Sequence, residues 1–138
     1  MEDVRERCNA IEECYEFMLA YAAQGLPSDE GGGRGSEVRH FLGRAVEALS
    51  GLADAYAGAV KEEGQATEPF QAFLAVLDRD ARDSIAAIEM VRAQPSLSSQ
   101  LIDNLNASIH LRALLTDLFL IDETLKLQRI SGKPATTT

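Results

Sequence analysis

The sequence contains no tryptophan, and aromatic residues make up only 6% of its 138 residues. It has no run of about 18 consecutive apolar residues, the length that predicts a membrane-spanning helix. No basic segment followed by an apolar segment stands at its start, so we expect no secretory signal peptide. These absences exclude a membrane-spanning protein and favour a soluble one.

Cysteine is also scarce, since the chain has only Cys8 and Cys14. On one helix their Cα atoms would lie about 9 Å apart, given a rise of about 1.5 Å per residue. That separation is too large for a disulfide bond between them. Two reduced thiols are typical of a cytoplasmic protein, and we expect that localisation here.

Basic residues are outnumbered, because 13 lysines and arginines face 22 aspartates and glutamates for a net charge of −9. A chain of this charge repels nucleic-acid phosphates and anionic membrane surfaces. We therefore expect neither nucleic acid nor membrane as a partner. The charge favours a basic protein as a partner.

The residues that are abundant are helix formers, and apolar residues recur at spacings of three and four along most of the chain. The four prolines stand where such periodic runs begin or end. The pattern predicts an all-α fold, namely an antiparallel, up-down-up-down four-helix bundle with a long last helix. The single domain spans residues 1–131, and its predicted helices cover residues 3–24, 36–63, 68–93 and 97–130.

The segment 26–35 contains three consecutive glycines and is predicted to be a flexible loop. A phosphate-binding loop is the sharper alternative, but the segment has neither a preceding strand nor the Gly-Lys-Ser/Thr ending. After Gly132, the tail 132–138 is predicted to be disordered.

The predicted last helix differs from the other three. Unbroken, it would be about 50 Å long, against about 36 Å for the third helix, so it either overhangs the bundle or is broken. Its second half is apolar on two sides, which fits either a helix buried by three neighbours or an interface. We favour an interface that makes a homo-oligomer, most simply a dimer, through Phe119, Leu120, Leu127 and Ile130.

Polar residues accompany the apolar ones in the first half of the same segment. Asn104, Asn106, Ser108 and His110 are candidates for a polar group within the core. Buried there, they would fix the register of the helices or line a small polar pocket. The alternative is that they are exposed or simply satisfied by neighbouring groups.

A four-helix bundle also raises the question of a ferritin-like di-metal site. That site needs a Glu-x-x-His motif on two helices and a glutamate from each of the other two. Glu37 and His40 match the motif once, whereas His110 has Ala107 three residues before it. Glu37 and His40 are therefore weak metal candidates, and no catalytic residue or cofactor is predicted.

These observations predict a non-enzymatic cytoplasmic interaction or adaptor protein that self-associates through its last helix. The alternative is a small-molecule or metal-binding bundle, either a ferritin-like oxidase or a carrier of an apolar ligand. The two classes differ in an observable property, since the alternative requires a bound ion, chromophore or lipid in the purified protein.

Overall fold

The computed structural model describes residues 1–30 and 34–131, with the backbone alone at residues 34–36. These residues form six helices and no strand, so the all-α prediction is confirmed for them. The glycines at 31–33 and the predicted tail 132–138 lie outside the described residues. The helices are α1 Glu2–Ala23, α2 Arg34–Leu49, α3 Leu52–Glu62, α4 Glu68–Arg92, α5 Ser99–Asn106 and α6 Ile109–Ile130.

The helices α1 and α4 match the predicted helices 3–24 and 68–93 closely. Each carries one apolar stripe with three- and four-residue spacing, which its neighbours bury. Pro69 lies in the first turn of α4, where a missing backbone N–H costs no helical hydrogen bond.

The predicted helix 36–63 is wrong as a single helix, because α2 and α3 are separated at Ser50 and Gly51. Gly51 has a φ of 78°, in the left-handed region that interrupts a helix and that favours glycine. Arg7 of α1 donates hydrogen bonds to the backbone carbonyls of Ala48 at 3.0 Å and Ser50 at 2.6 Å. These bonds satisfy carbonyls at the end of α2 that have no partner within the helix.

The predicted helix 97–130 is likewise two helices, so the last helix is broken rather than overhanging. Asn106 ends α5, and Ile109 begins α6. The side chain of Ser108 accepts a hydrogen bond from the backbone N–H of Leu111, which makes Ser108 the N-cap of α6. Ser98 caps α5 in the same way through Leu101.

The core lies between α1 and α4. Helix α1 packs against α2, α3 and α5, whereas α4 packs against α2, α3, α5 and α6. Among the described residues, no helix combines the length and apolar character needed to cross a membrane. The core includes the fully buried side chains of Tyr21, Leu42, Leu49, Tyr56, Leu77, Ile88, Leu114 and Ile121.

Candidate interaction surface

The helix α6 is held against the rest of the chain by one apolar face and by polar anchors. Arg129, near its end, donates two hydrogen bonds to the carboxylate of Glu63 at 2.7 and 2.9 Å. Asp122 accepts a hydrogen bond from the hydroxyl of Tyr56 at 2.7 Å. The orientation of α6 is thereby fixed, and its inward side chains are Leu111, Leu114, Leu118, Ile121 and Leu125.

The opposite side of α6 is apolar and open to solvent. Its five large apolar side chains are between 52% and 75% exposed. At about 100° per residue, Ile109, Leu120 and Leu127 lie within about 20° of one another around the helix. Phe119 and Ile130 flank them on one side. We call this surface the α6 outer face; its apolar members are Ile109, Phe119, Leu120, Leu127 and Ile130, and its exposed polar members are Arg112, Thr116 and Glu123.

Four of the five apolar residues are those predicted to form an interface: Phe119, Leu120, Leu127 and Ile130. The structure leaves these four exposed, so α6 is not surrounded by three neighbours within one copy of the chain. Sequence reasoning left Ile109 out of this interface, although a continuous helix places it in phase with Leu101 and Leu105 and also with Leu120 and Leu127. The break before Ser108 removes the phase relation to Leu101 and Leu105, and the N-cap serine was the signal that could have revealed the break.

An apolar groove adjoins the α6 outer face on the side of α4. Its volume is about 370 Å³. Leu120 belongs to both the groove and the outer face, so the two form one continuous apolar surface. The groove is lined by Pro69, Phe70, Phe73, Leu120, Ile121, Thr124 and Gln128.

The charges of α6 balance, although the whole chain is acidic. The whole chain has a net charge of −9. Helix α6 instead balances its charges, with three acidic residues and three basic ones. They are Asp117, Asp122, Glu123, Arg112, Lys126 and Arg129.

The predicted polar core group is corrected by the structure. Asn104 and His110 are exposed, and Ser108 is half-buried because it caps α6. Only Asn106 is buried, and its side-chain oxygen has no hydrogen-bond partner among the described residues. The break between α5 and α6 rotates the residues on either side independently, so Asn104 and His110 follow the alternative in which they are exposed.

A cavity of about 20 Å³ lies next to Asn106, between Cys14 and Leu111. This volume has room for a water molecule but not for a cofactor or a lipid. The cavity therefore gives no support to a ligand held within the core.

The weak metal candidates Glu37 and His40 are both exposed near the start of α2. In the part of the chain that the structure describes, no cluster of three or more histidine, cysteine or acidic side chains could hold a metal ion. The described residues thus provide no set of ligands for the ferritin-like alternative.

A cluster of a thiol, a phenol and a carboxylate links α1, α3 and α6. The sulfur of Cys8 lies 3.2 Å from the hydroxyl oxygen of Tyr56, which donates its own hydrogen to Asp122. The thiol is therefore the donor to the phenol. Burial raises the pKa of Cys8 to about 11, and the thiol stays protonated at neutral pH. A protonated thiol is a poor nucleophile. The cluster therefore supplies no reactive group, and its hydrogen bonds hold α6 against α3 and α1.

Cys14 is also unsuited to covalent chemistry. Burial raises its pKa to about 12, while Arg44 opposes the shift. Cys14 is a small core residue, which is more buried than its place beside the apolar seam of α1 predicts.

A second carboxylate lies inside the contact between α4 and α6. Asp117 is buried and faces Asp80, and its Oδ2 has no hydrogen-bond partner in the described part of the chain. Burial, and then the neighbouring Asp80, raise the pKa of Asp117 to about 7. Sequence reasoning missed this residue, because an aspartate between apolar residues of an amphipathic helix looks like part of its polar face.

Comparisons of the chain with known protein families, with curated proteins and with solved structures find no match.

Proposed function

We propose that this protein is a non-enzymatic interaction protein that forms a homodimer through the α6 outer face. The supporting observation is the continuous apolar surface made by five exposed side chains and the adjoining groove. Soluble monomers rarely expose a large contiguous apolar patch, and such patches usually mark contacts with other proteins.

The charge distribution favours a second copy of the chain as the partner on this surface. Two chains of net charge −9 repel each other over most of their surfaces. The six charges of α6 cancel, so two copies can approach each other along this helix with little repulsion. A basic protein would instead be attracted to the acidic remainder of the chain, which leaves room for the adaptor role.

We infer that the six described helices form the four helical segments of a bundle. Helices α2 and α3 make up the second segment, and α5 and α6 make up the fourth. Short links between successive segments favour antiparallel neighbours, which is the up-down-up-down bundle. The packing of α2 and α3 against the same two helices, α1 and α4, supports this arrangement. The free thiols of Cys8 and Cys14 support a reducing, cytoplasmic location.

The substitution Leu127→Asp tests the proposed interface. A charge in the middle of an apolar contact loses its hydration without gaining a partner, so the dimer should dissociate. Leu127 is exposed within one copy, so far-UV circular dichroism should keep its helical signal. Multi-angle light scattering after size-exclusion chromatography measures the molar mass.

Met90→Asp is the matched control, because Met90 is 66% exposed on α4 and does not line the groove. This variant should keep the mass of the unmodified protein. An unchanged mass for Leu127→Asp, or equal dissociation by both variants, contradicts an interface on α6.

The second candidate function is a carrier of an apolar ligand, which the groove beside Phe70 and Phe73 favours. Its volume of about 370 Å³ falls within the range of small-molecule sites. Mass spectrometry of an organic extract of the purified protein distinguishes the two. A stoichiometric apolar compound supports the carrier, whereas a dimer without such a compound supports self-association.

A further inference from the structure

The α6 outer face is complementary to a second copy of itself that runs in the opposite direction. Ile109 and Leu127 are apolar, and Arg112 and Glu123 carry opposite charges. Each pair is centred within one residue of Leu118. A residue and its counterpart in such a pair face each other when two copies of one helix lie antiparallel with a two-fold axis at the shared centre.

We propose that two copies of α6 pack antiparallel, with the two-fold axis near Leu118. Ile109 then contacts Leu127 of the second copy, and Arg112 forms an ion pair with Glu123 of the second copy. This proposal rests on the proposed self-association and adds its direction and register.

The positions of the two charges on the helix support this register. At about 100° per residue, Arg112 and Glu123 lie within about 20° of each other, on the same flank of the outer face. In an antiparallel pair of helices each flank faces the same flank of the other copy. The two residues therefore meet across the interface, and two equivalent ion pairs form about 16 Å apart, given the rise per residue.

Both charges are available for this contact. Arg112 and Glu123 are exposed, and neither takes part in the ion pairs found among the described residues. The hydroxyl of Thr116 donates to the backbone carbonyl of Arg112, so this bond uses no atom of the guanidinium. Among the described residues, neither side chain has an ion-pair partner that would have to be displaced.

A parallel arrangement is disfavoured by the same charges. It would place the flank that carries Arg112 and Glu123 against the opposite flank of the second copy, so these two residues would form no ion pair across the interface. It would also align the two helix dipoles in the same direction, whereas antiparallel dipoles attract. The electrostatics of the outer face thus select one direction.

The register also gives a role to Ile109. As the first residue of α6 it is 75% exposed, because the break at Ala107 and Ser108 turns it away from the core. The register brings it onto Leu127 of the second copy, close to Thr124 and Gln128, which line the groove. In the dimer, Ile109 of each copy therefore lies beside the apolar groove of the other copy.

Charge reversal tests the register. In the antiparallel dimer Arg112→Glu places two glutamates opposite each other, and Glu123→Arg places two arginines opposite each other. Each single variant should raise the dissociation constant at least about tenfold, as like-charge contacts at interfaces do. The double variant Arg112→Glu/Glu123→Arg should restore the constant to within about threefold of the original, since it exchanges the two partners. Sedimentation equilibrium at low salt measures the constants, and circular dichroism checks the fold.

The outcomes separate this inference from the proposed function. If Leu127→Asp dissociates the dimer but the single charge reversals do not weaken it, self-association through α6 stands and the register is wrong. A double variant as weak as the single ones also overturns the register. If the unmodified chain is a monomer, the proposed function fails, and the register fails with it.

Cross-linking provides a second test that does not depend on affinity. A chain carrying Ile109→Cys and Leu127→Cys should form a covalent dimer under mild oxidation, because the antiparallel register brings the two positions together. Leu127→Cys alone should not cross-link, whereas a parallel pair would cross-link it. Denaturing electrophoresis without reductant distinguishes the results, with the unmodified chain as the control for Cys8 and Cys14.

Discussion

At the scale of single residues, the buried carboxyl of Asp117 is a group whose protonation the sequence alone does not indicate. It lies in the contact of α4 with α6, facing Asp80, and its pKa is raised to about 7. The unfolded chain releases the same proton near pH 3.9. The folded protein thus binds this proton more tightly than the unfolded chain does. The stability gained from the proton is fully present below about pH 4 and is lost as the pH rises through about 7.

The substitution Asp117→Asn should therefore change the pH dependence of stability. The amide keeps the shape of the protonated carboxyl and can donate to Asp80, but it cannot ionise. We expect the variant to be more stable than the original at pH 8 and to lose less stability between pH 5 and pH 8. Urea unfolding followed by circular dichroism at the two pH values measures both effects.

Asp83→Asn is the control, because Asp83 is an exposed carboxylate on α4. It should leave the pH dependence close to that of the original protein. A difference between pH 5 and pH 8 that Asp117→Asn fails to reduce would show that another group governs it.

At the scale of the elements, the breaks in the second and fourth predicted helices decide how the chain is arranged. The helices α1 and α4 were predictable, because each has a single apolar stripe bounded by glycine or proline. The break at Gly51 was not, because apolar residues continue in phase across it. Arg7, more than forty positions away, donates the hydrogen bonds to the carbonyls that the break leaves without helical partners.

The candidate site was predictable to a similar extent. Phe119, Leu120, Leu127 and Ile130 could be found because they form a second apolar face within one helical period. The groove beside them could not, since Phe70 and Phe73 belong to a different helix whose position depends on packing. Asp80 and Asp117 were missed for the same reason, because their proximity exists only in the folded chain.

A pair of glycine substitutions tests the break between α2 and α3. Gly51→Ala places a side chain at a φ of 78°, which should destabilise the protein by about 1–2 kcal/mol. Gly58→Ala adds a methyl group inside α3 at a position with no atom within 4 Å. It should stabilise the protein by about 0.5–1 kcal/mol, because alanine favours a helix over glycine. Urea unfolding of the two variants measures the changes in the free energy of unfolding. Changes of the same sign in both variants would contradict a left-handed residue at Gly51.

At the scale of the whole molecule, charge and apolar surface are unevenly distributed. The chain has a net charge of −9, yet the charges of α6 cancel where its apolar residues are exposed. Under the proposed function, this combination makes α6 the helix through which two copies associate. It also makes association dependent on salt, because the remaining acidic surfaces of two copies repel each other more weakly at high ionic strength.

The molar mass of the unmodified protein in solution is the most direct test of association through α6. The chain has a mass of 15.0 kDa, so a homodimer has about twice that mass. Sedimentation equilibrium across micromolar concentrations should give the mass of the dimer, with dissociation only on dilution. A mass equal to one chain at every concentration would mean that the α6 outer face does not hold two copies together.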